Sequence, residues 1–118
     1  MRGHFDVFMK ITARWHLTQA EQRALLRSPT EERWVHLVHD AVPRMTPDEF
    51  ARVNAVIQID EALSNCISDP REAARWLRTL KSVTPFLGRT PLALLFRGME
   101  GFQAVVDYLK AWQAAGRA

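Results

Sequence analysis

The sequence has few of the residues that cross-link a chain, hold a metal ion or turn tightly around a phosphate group. Its one cysteine, Cys66, cannot form an internal disulfide, and a four-ligand zinc site would have to consist mostly of histidine. Only 5 of its 118 residues are glycine, and it contains no P-loop, GxGxxG, GxSxG or HExxH motif. We therefore predict no bound metal, no cofactor, no catalytic residues and no enzymatic activity.

Long apolar runs are also absent. No run approaches the ~20 residues that a membrane-spanning helix needs, and residues 1–6 lack the apolar segment of a secretory signal. Together with the single cysteine, this predicts a reduced, cytoplasmic environment. The composition, 47% hydrophobic and 25% charged, is that of an ordinary globular protein, and the length fits one domain or two very small modules.

The charge balance and the remaining reactive side chains give little evidence for site chemistry. The net charge of +3 comes from 16 basic and 13 acidic residues, an excess that allows an anionic partner without demanding one. His36 and His39 lie three residues apart and could hold a metal ion, but no cysteine or third histidine lies nearby, so we interpret them as solvated or structural. Cys66 is interpreted as a small apolar residue.

Signals for helix starts are dense. Ser, Thr or Asp at the N-cap with Glu three residues later satisfies unpaired backbone N–H groups reciprocally, and proline suits the first helical position. Four such patterns occur at residues 18–21, 28–31, 46–49 and 69–72, and Thr90-Pro91 is a fifth start without the glutamate. Because period-2 alternation is absent, we predict an all-α fold, a compact bundle of about seven short helices.

Apolar residues repeat at helical spacing within the predicted helices. These cover approximately residues 5–15, 19–27, 29–40, 47–67, 70–80, 91–96 and 101–115, with an irregular loop at 81–89. The predicted core stripe of the long fourth helix is Phe50, Val53, Val56, Ile57 and Leu63, with Arg52 on the polar side, and that of the fifth is Ala73, Trp76, Leu77 and Leu80.

The second and third predicted helices form a candidate helix-turn-helix motif over residues 17–34. In that motif the second helix enters the major groove with its N-terminus first. The predicted DNA-binding residues are therefore Ser28, Thr30, Arg33 and His36. Two glutamates in the first turn oppose the phosphate field that supplies most of the affinity, so a plain helical hairpin is the alternative interpretation.

The C-terminal half carries a more specific pattern. Residues 73–79 (AARWLRT), residues 87–92 (LGRTPL) and Gly101 with the apolar residues that follow it resemble the toxin-binding domain of the Xre/MbcA/ParS-like antitoxins. That family joins an N-terminal helix-turn-helix module to this C-terminal helical domain. The resemblance implies two domains, 1–44 and 45–118. Leu80 and Lys81 stand where the family usually has Pro-Asn.

The resemblance also implies a function. It is that of an antitoxin of a type II toxin–antitoxin system, which binds a partner toxin and covers its active-site cleft. The implied toxin is a RES-domain enzyme that consumes NAD, and repression of the antitoxin's own operon through operator DNA is compatible with this role. We expect a homodimer or a hetero-oligomer with the toxin.

The resemblance and the chemistry of the tail together predict the toxin-binding residues Trp76, Leu77, Leu87, Gly88, Arg89, Pro91, Leu109, Trp112 and Arg117. Core packing is the other interpretation of Trp76 and Leu77, which have the spacing of a core stripe. Gly88 is expected to form a turn and Pro91 to begin a helix. Arg117 could reach a cleft shaped for phosphates, with a solvated terminus as the alternative.

Two other functions remain open at this point. A helix-turn-helix DNA-binding regulator without a toxin predicts salt-dependent binding to its own promoter. A helical adaptor or dimerisation module predicts a homodimer with neither DNA nor toxin as partner. The antitoxin hypothesis predicts a complex with the product of the neighbouring gene.

Overall fold

Seven α-helices occur in the part of the chain that the computed structural model describes, residues 3–27, 30–40 and 44–115. No strand occurs in these residues, which hold one isolated antiparallel bridge between Lys81 and Arg89. The prediction of an all-α bundle is confirmed. The helices are α1 (Gly3–Arg14), α2 (Gln19–Leu26), α3 (Glu31–His39), α4 (Pro47–Cys66), α5 (Pro70–Leu77), α6 (Pro91–Leu95) and α7 (Met99–Ala114).

Four of the five predicted helix starts are confirmed by their N-caps. Thr18 and Thr46 each form a complete capping box with the glutamate three residues later. The hydroxyl of Thr90 accepts a hydrogen bond from the Ala93 N–H. Asp69 caps α5 by accepting from the Arg71 N–H. These bonds satisfy N–H groups that a helix leaves unpaired at its first turn.

The predicted start of α3 at Ser28 is wrong. The N-cap is Thr30, whose side-chain oxygen accepts from the Arg33 N–H at 3.0 Å, and the helix begins at Glu31. Threonine is itself a good N-cap, and the two glutamates that follow it stabilise the positive end of the helix. Ser28 and Pro29 lie outside the described residues.

The core is centred on α4. Helices α1 and α7 both pack on it, and α6 packs on α7. The ring of His4 contacts that of Phe50, and Arg14 Nη2 lies 3.1 Å from Asp60 Oδ2, so α1 runs beside α4 in the same direction. The buried apolar residues from the start of α1 to the end of α7 form one connected cluster. The division into domains 1–44 and 45–118 stays a prediction.

Two predictions of inward-facing residues are wrong. Phe50 on α4 is 41% exposed, whereas Arg52, placed on the polar side, is buried. Arg52 Nε donates to Asp48 Oδ2 at 2.8 Å, so the aliphatic stem of the arginine can cover the core while its charge is paired. Leu80 is exposed because α5 ends at Leu77, three residues before it.

No helix among the described residues combines the length and the apolar character that crossing a bilayer requires.

Candidate functional site

The segment between α5 and α6, residues 78–90, forms a closed loop on the surface. At its neck the Lys81 N–H donates to the Arg89 carbonyl at 3.1 Å, and the Gly88 N–H donates to the Lys81 carbonyl at 2.7 Å. The fully buried ring of Phe86 anchors the loop to the core. Gly88 has a φ of 90°, which confirms the turn predicted there. The 78–90 loop therefore has a defined shape although it contains no helix.

An aromatic cluster packs against this loop. It consists of Trp76 on α5, Phe86 in the loop, and Tyr108 and Trp112 on α7. The rings of Phe86 and Tyr108 meet edge to face at 4.9 Å, and the Trp76 ring lies 6.2 Å from those of both Tyr108 and Trp112. Contacts of this kind add to the free energy of burying the rings. The cluster joins α5, the 78–90 loop and the C-terminal turns of α7 into one surface.

Three apolar side chains of the loop are exposed to solvent. Leu80 is 69% exposed, Val83 52% and Leu87 70%. Single exposed apolar residues are common, but three within one short loop mark a candidate protein-binding surface, which we call the apolar patch. Leu87 also has a φ of 51°, in the left-handed backbone region that residues other than Gly and Asn rarely adopt. The fold itself gains little from a leucine at this exposed position.

We expect Leu87→Asn to raise the free energy of unfolding by about 0.5–1 kcal/mol. A left-handed conformation costs a leucine roughly 1 kcal/mol, and asparagine adopts it more readily. Urea unfolding measures the change. Leu80→Asn is the matched control, because Leu80 is equally exposed and is not among the residues with positive φ, so we expect no gain there. Equal effects of the two substitutions would refute this interpretation.

The predicted toxin-contact residues separate by burial. Leu87, Gly88 and Arg89 are exposed on the 78–90 loop, and Trp76 and Trp112 are partly buried in the aromatic cluster. Arg117 lies outside the described residues. The surface thus brings together five of the nine predicted residues.

The other three are core residues. Leu77 and Leu109 are buried in the central cluster, and Pro91 is buried at the first position of α6, as its predicted role in starting a helix requires. They support the surface from inside the core. Sequence reasoning missed Leu80 and Val83 as exposed apolar residues; the signal available was their position in a stretch between Leu77 and Pro91 without helical periodicity.

Two of the four predicted DNA-contact residues, Thr30 and Arg33, form hydrogen bonds within the fold. Arg33 donates from Nε to Glu49 Oε2 at 3.1 Å and from Nη2 to Glu49 Oε1 and to the Arg44 carbonyl. The Thr30 hydroxyl caps α3, His36 is exposed on that helix, and Ser28 lies outside the described residues. Arg33 thus uses its guanidinium within the fold.

The Glu49 carboxylate is the most deeply placed charge of this region, with 7% of its side chain exposed. Burial raises the pKa of Glu49, but the hydrogen bonds from Arg33 and from the Thr46 N–H together lower it by more than burial raises it. The pKa of this carboxyl therefore lies below its ordinary value. The hydrogen bond to Glu49 raises the pKa of Arg33 in turn. The pair is ionised at neutral pH and ties α3 to the start of α4.

A second ion pair connects the 78–90 loop with α2. Arg78 Nη2 donates to Glu21 Oε1 at 2.9 Å and to the His16 carbonyl at 3.0 Å. The hydrogen bond from Arg78 lowers the pKa of the Glu21 carboxyl, against the opposing effect of partial burial. Glu21 also completes the capping box of α2. Its carboxylate therefore accepts hydrogen bonds both from the Thr18 N–H at the helix start and from Arg78, the first residue of the loop.

Among the described residues, no three His, Cys, Asp or Glu side chains come together as metal ligands. His36 Nδ1 lies 3.8 Å from Asp40 Oδ1, and this pair is exposed. The buried Sγ of Cys66 lies 3.5 Å from the Leu109 carbonyl oxygen.

Comparison with known proteins identifies the part of the chain that carries this surface. Residues 62–114 match the family model described as the antitoxin Xre/MbcA/ParS C-terminal toxin-binding domain. No curated protein and no solved structure matches the chain. The matched range runs from the last turns of α4 to the end of α7 and includes the 78–90 loop and the aromatic cluster. Residues 62–114 of the chain are thus similar to the C-terminal toxin-binding domain of the Xre/MbcA/ParS antitoxins.

Proposed function

We propose that the chain is a non-enzymatic antitoxin that binds a partner toxin through the 78–90 loop and covers the toxin's active site. The observation that carries this proposal is the position of the exposed apolar patch, Leu80, Val83 and Leu87, inside the matched toxin-binding domain. A stable complex needs about 800 Å² of buried surface on each partner. The patch offers an apolar centre for such an interface, and the charged residues beside it offer a rim.

The end of α7 fits the same task. Tyr108 on α7 contacts Phe86 of the 78–90 loop, and Trp112, one turn later, contacts Trp76 on α5. We propose that the toxin is a RES-domain enzyme that consumes NAD, as the family resemblance implies, and that Arg117 approaches its phosphate-binding cleft. We further propose a hetero-oligomer of antitoxin and toxin as the active assembly.

Co-expression with the product of the adjacent open reading frame tests the proposal. The wild-type chain is expected to restore growth and to co-purify with the toxin. Leu80→Asp combined with Leu87→Asp is expected to weaken binding about 30-fold or more, because carboxylates replace the apolar centre of the interface. Growth should then remain arrested.

Val7→Asp combined with Val35→Asp is the matched control. These valines are also exposed apolar residues, on α1 and α3, outside the matched domain. We expect this variant to co-purify with the toxin as the wild type does. Circular dichroism of both variants checks that they are folded. Wild-type binding by the loop variant, or no complex with the wild-type chain, would refute the proposed function.

Operator DNA is the second candidate partner, through which the antitoxin would repress its own operon. The succession of the short helices α2 and α3 and the exposure of His36 favour it. We place it second because the guanidinium of Arg33 already binds Glu49 and the Arg44 carbonyl. Salt-dependent retardation of the chain's own promoter fragment, lost in His36→Ala, is the outcome that supports it.

A further inference from the structure

The charges near the proposed interface are all of one sign along the chain. From residue 73 to residue 99 there are five basic residues and no acidic one, although the whole chain has 16 basic and 13 acidic residues. This stretch includes the 78–90 loop. The five are Arg75, Arg78, Lys81, Arg89 and Arg97.

Two of these charges are compensated within the protein. Arg75 Nη1 lies 2.8 Å from Glu72 Oε1, and Arg78 pairs with Glu21. Lys81 and Arg89 have no carboxylate partner among the described residues. The ammonium of Lys81 lies 5.3 Å from the centre of the Trp76 ring, and Arg89 is exposed.

The loop neck brings the backbones of these two residues together. Lys81 and Arg89 are directly opposite each other in the antiparallel bridge. Like charges in opposite positions destabilise a bridge, so the isolated loop bears an electrostatic cost here. A carboxylate brought between them by a partner would replace this repulsion with two attractions. The exposed Leu80 directly precedes Lys81, and the exposed Leu87 lies two residues before Arg89.

We infer that the toxin surface bound by the 78–90 loop is acidic around an apolar centre, with carboxylates facing Lys81 and Arg89. This inference rests on the proposed antitoxin function and specifies the chemistry of its partner. Charges at the rim of an interface act mainly on the rate of association, and salt screens their effect. The complex should therefore form faster at low ionic strength.

The test combines Lys81→Glu with Arg89→Glu and uses the purified product of the adjacent open reading frame. We expect the association rate at low ionic strength, about 50 mM, to fall about 10-fold or more. The difference from wild type should shrink at high salt. The matched control is Lys10→Glu, which reverses an exposed charge on α1 and should leave the rate within about twofold.

A second pair of variants separates charge from apolar contact. Leu87→Asp should weaken the complex much more than Leu87→Lys, because only the aspartate is repelled by an acidic partner. If the wild-type chain binds the toxin but neither comparison depends on the sign of the charge, the inference is wrong and the antitoxin function stands. If the wild-type chain does not bind the toxin, both fail.

Other occupants of the loop would also overturn the inference. Concentration-dependent dimers that Leu87→Asp dissociates would identify a second copy of the chain as the partner. Binding of a single-stranded oligonucleotide that the double charge reversal abolishes, while toxin binding is unchanged, would identify nucleic acid. Sedimentation and fluorescence anisotropy on the same purified proteins measure these outcomes.

Discussion

Replacing Gly101 with alanine is expected to lower the free energy of unfolding by about 3 kcal/mol, the upper end of the usual cost of overpacking a core. Gly101 is buried on α7, where an added Cβ would lie 1.7 Å from the Leu94 carbonyl oxygen and 2.6 Å from its carbon. Both are backbone atoms of α6, so no side-chain rotation can relieve the overlap. Elsewhere in a helix the same substitution stabilises by about 1 kcal/mol, so the expected sign is reversed here.

Gly3→Ala is the matched control for this prediction. Gly3 is also helical, and an added Cβ there would meet nothing within 4 Å. Urea unfolding of both variants measures the difference. Because α6 begins directly after the 78–90 loop, separation of α6 from α7 should also weaken toxin binding. A Gly101→Ala protein as stable as the wild type would show that α6 and α7 are not in this close contact.

Replacing Glu49 with alanine is the second change with a large expected effect, about 3 kcal/mol of unfolding free energy. The carboxylate accepts hydrogen bonds from Arg33 and from the Thr46 N–H, and its removal eliminates an N-terminal cap and leaves Arg33 without its carboxylate. Loss of one partner of a buried ion pair typically costs 3–5 kcal/mol, and Arg33 is partly exposed, which places the effect at the lower end.

The pH dependence of this effect has a defined direction. The folded pKa of Glu49 lies below its unfolded value, so the pair stabilises the fold fully above the unfolded pKa of about 4.3 and loses this contribution as the pH falls through the folded pKa. The difference in stability between wild type and Glu49→Ala should therefore be constant near neutral pH and shrink in acid.

Glu72→Ala serves as the control for Glu49→Ala. Glu72 pairs with Arg75 on the exposed face of α5, and such surface pairs contribute about 0–1 kcal/mol. We expect a small change that is sensitive to salt. If Glu49→Ala costs no more than Glu72→Ala, or if its effect does not diminish in acid, the Arg33–Glu49 pair is not the connection between α3 and α4 described above.

The candidate site shows how far sequence patterns predict function here. The motifs around Trp76 and Gly88 were sufficient to predict the toxin-binding domain, and the match over residues 62–114 confirms that domain. The burial of individual residues was predicted less well. Leu77 and Leu109 have the spacing of core residues and are buried, whereas Leu80 continues the same stripe and is exposed. Periodicity does not indicate where the chain leaves the helix.

In the N-terminal region, the sequence likewise did not predict which charged side chains are available to bind a ligand. From the sequence, Arg33 is a cation near the start of a helix and a reasonable hydrogen-bond donor to a DNA phosphate. In the structure its partner is Glu49, sixteen residues away, at the start of the next helix. A residue's availability for a ligand depends on which groups of the fold it already binds, and that information is absent from a local pattern.

The helix starts and the all-α class follow from local signals, because a cap is formed by residues within four positions of one another. Thr18, Thr46 and Thr90 show this in the structure. Contacts between distant residues required the assembled fold. Arg78 begins the 78–90 loop by binding Glu21, 57 residues earlier, and Phe86 anchors it against Tyr108. The exposed surface arises from these long-range contacts, since they determine which apolar side chains the core can bury.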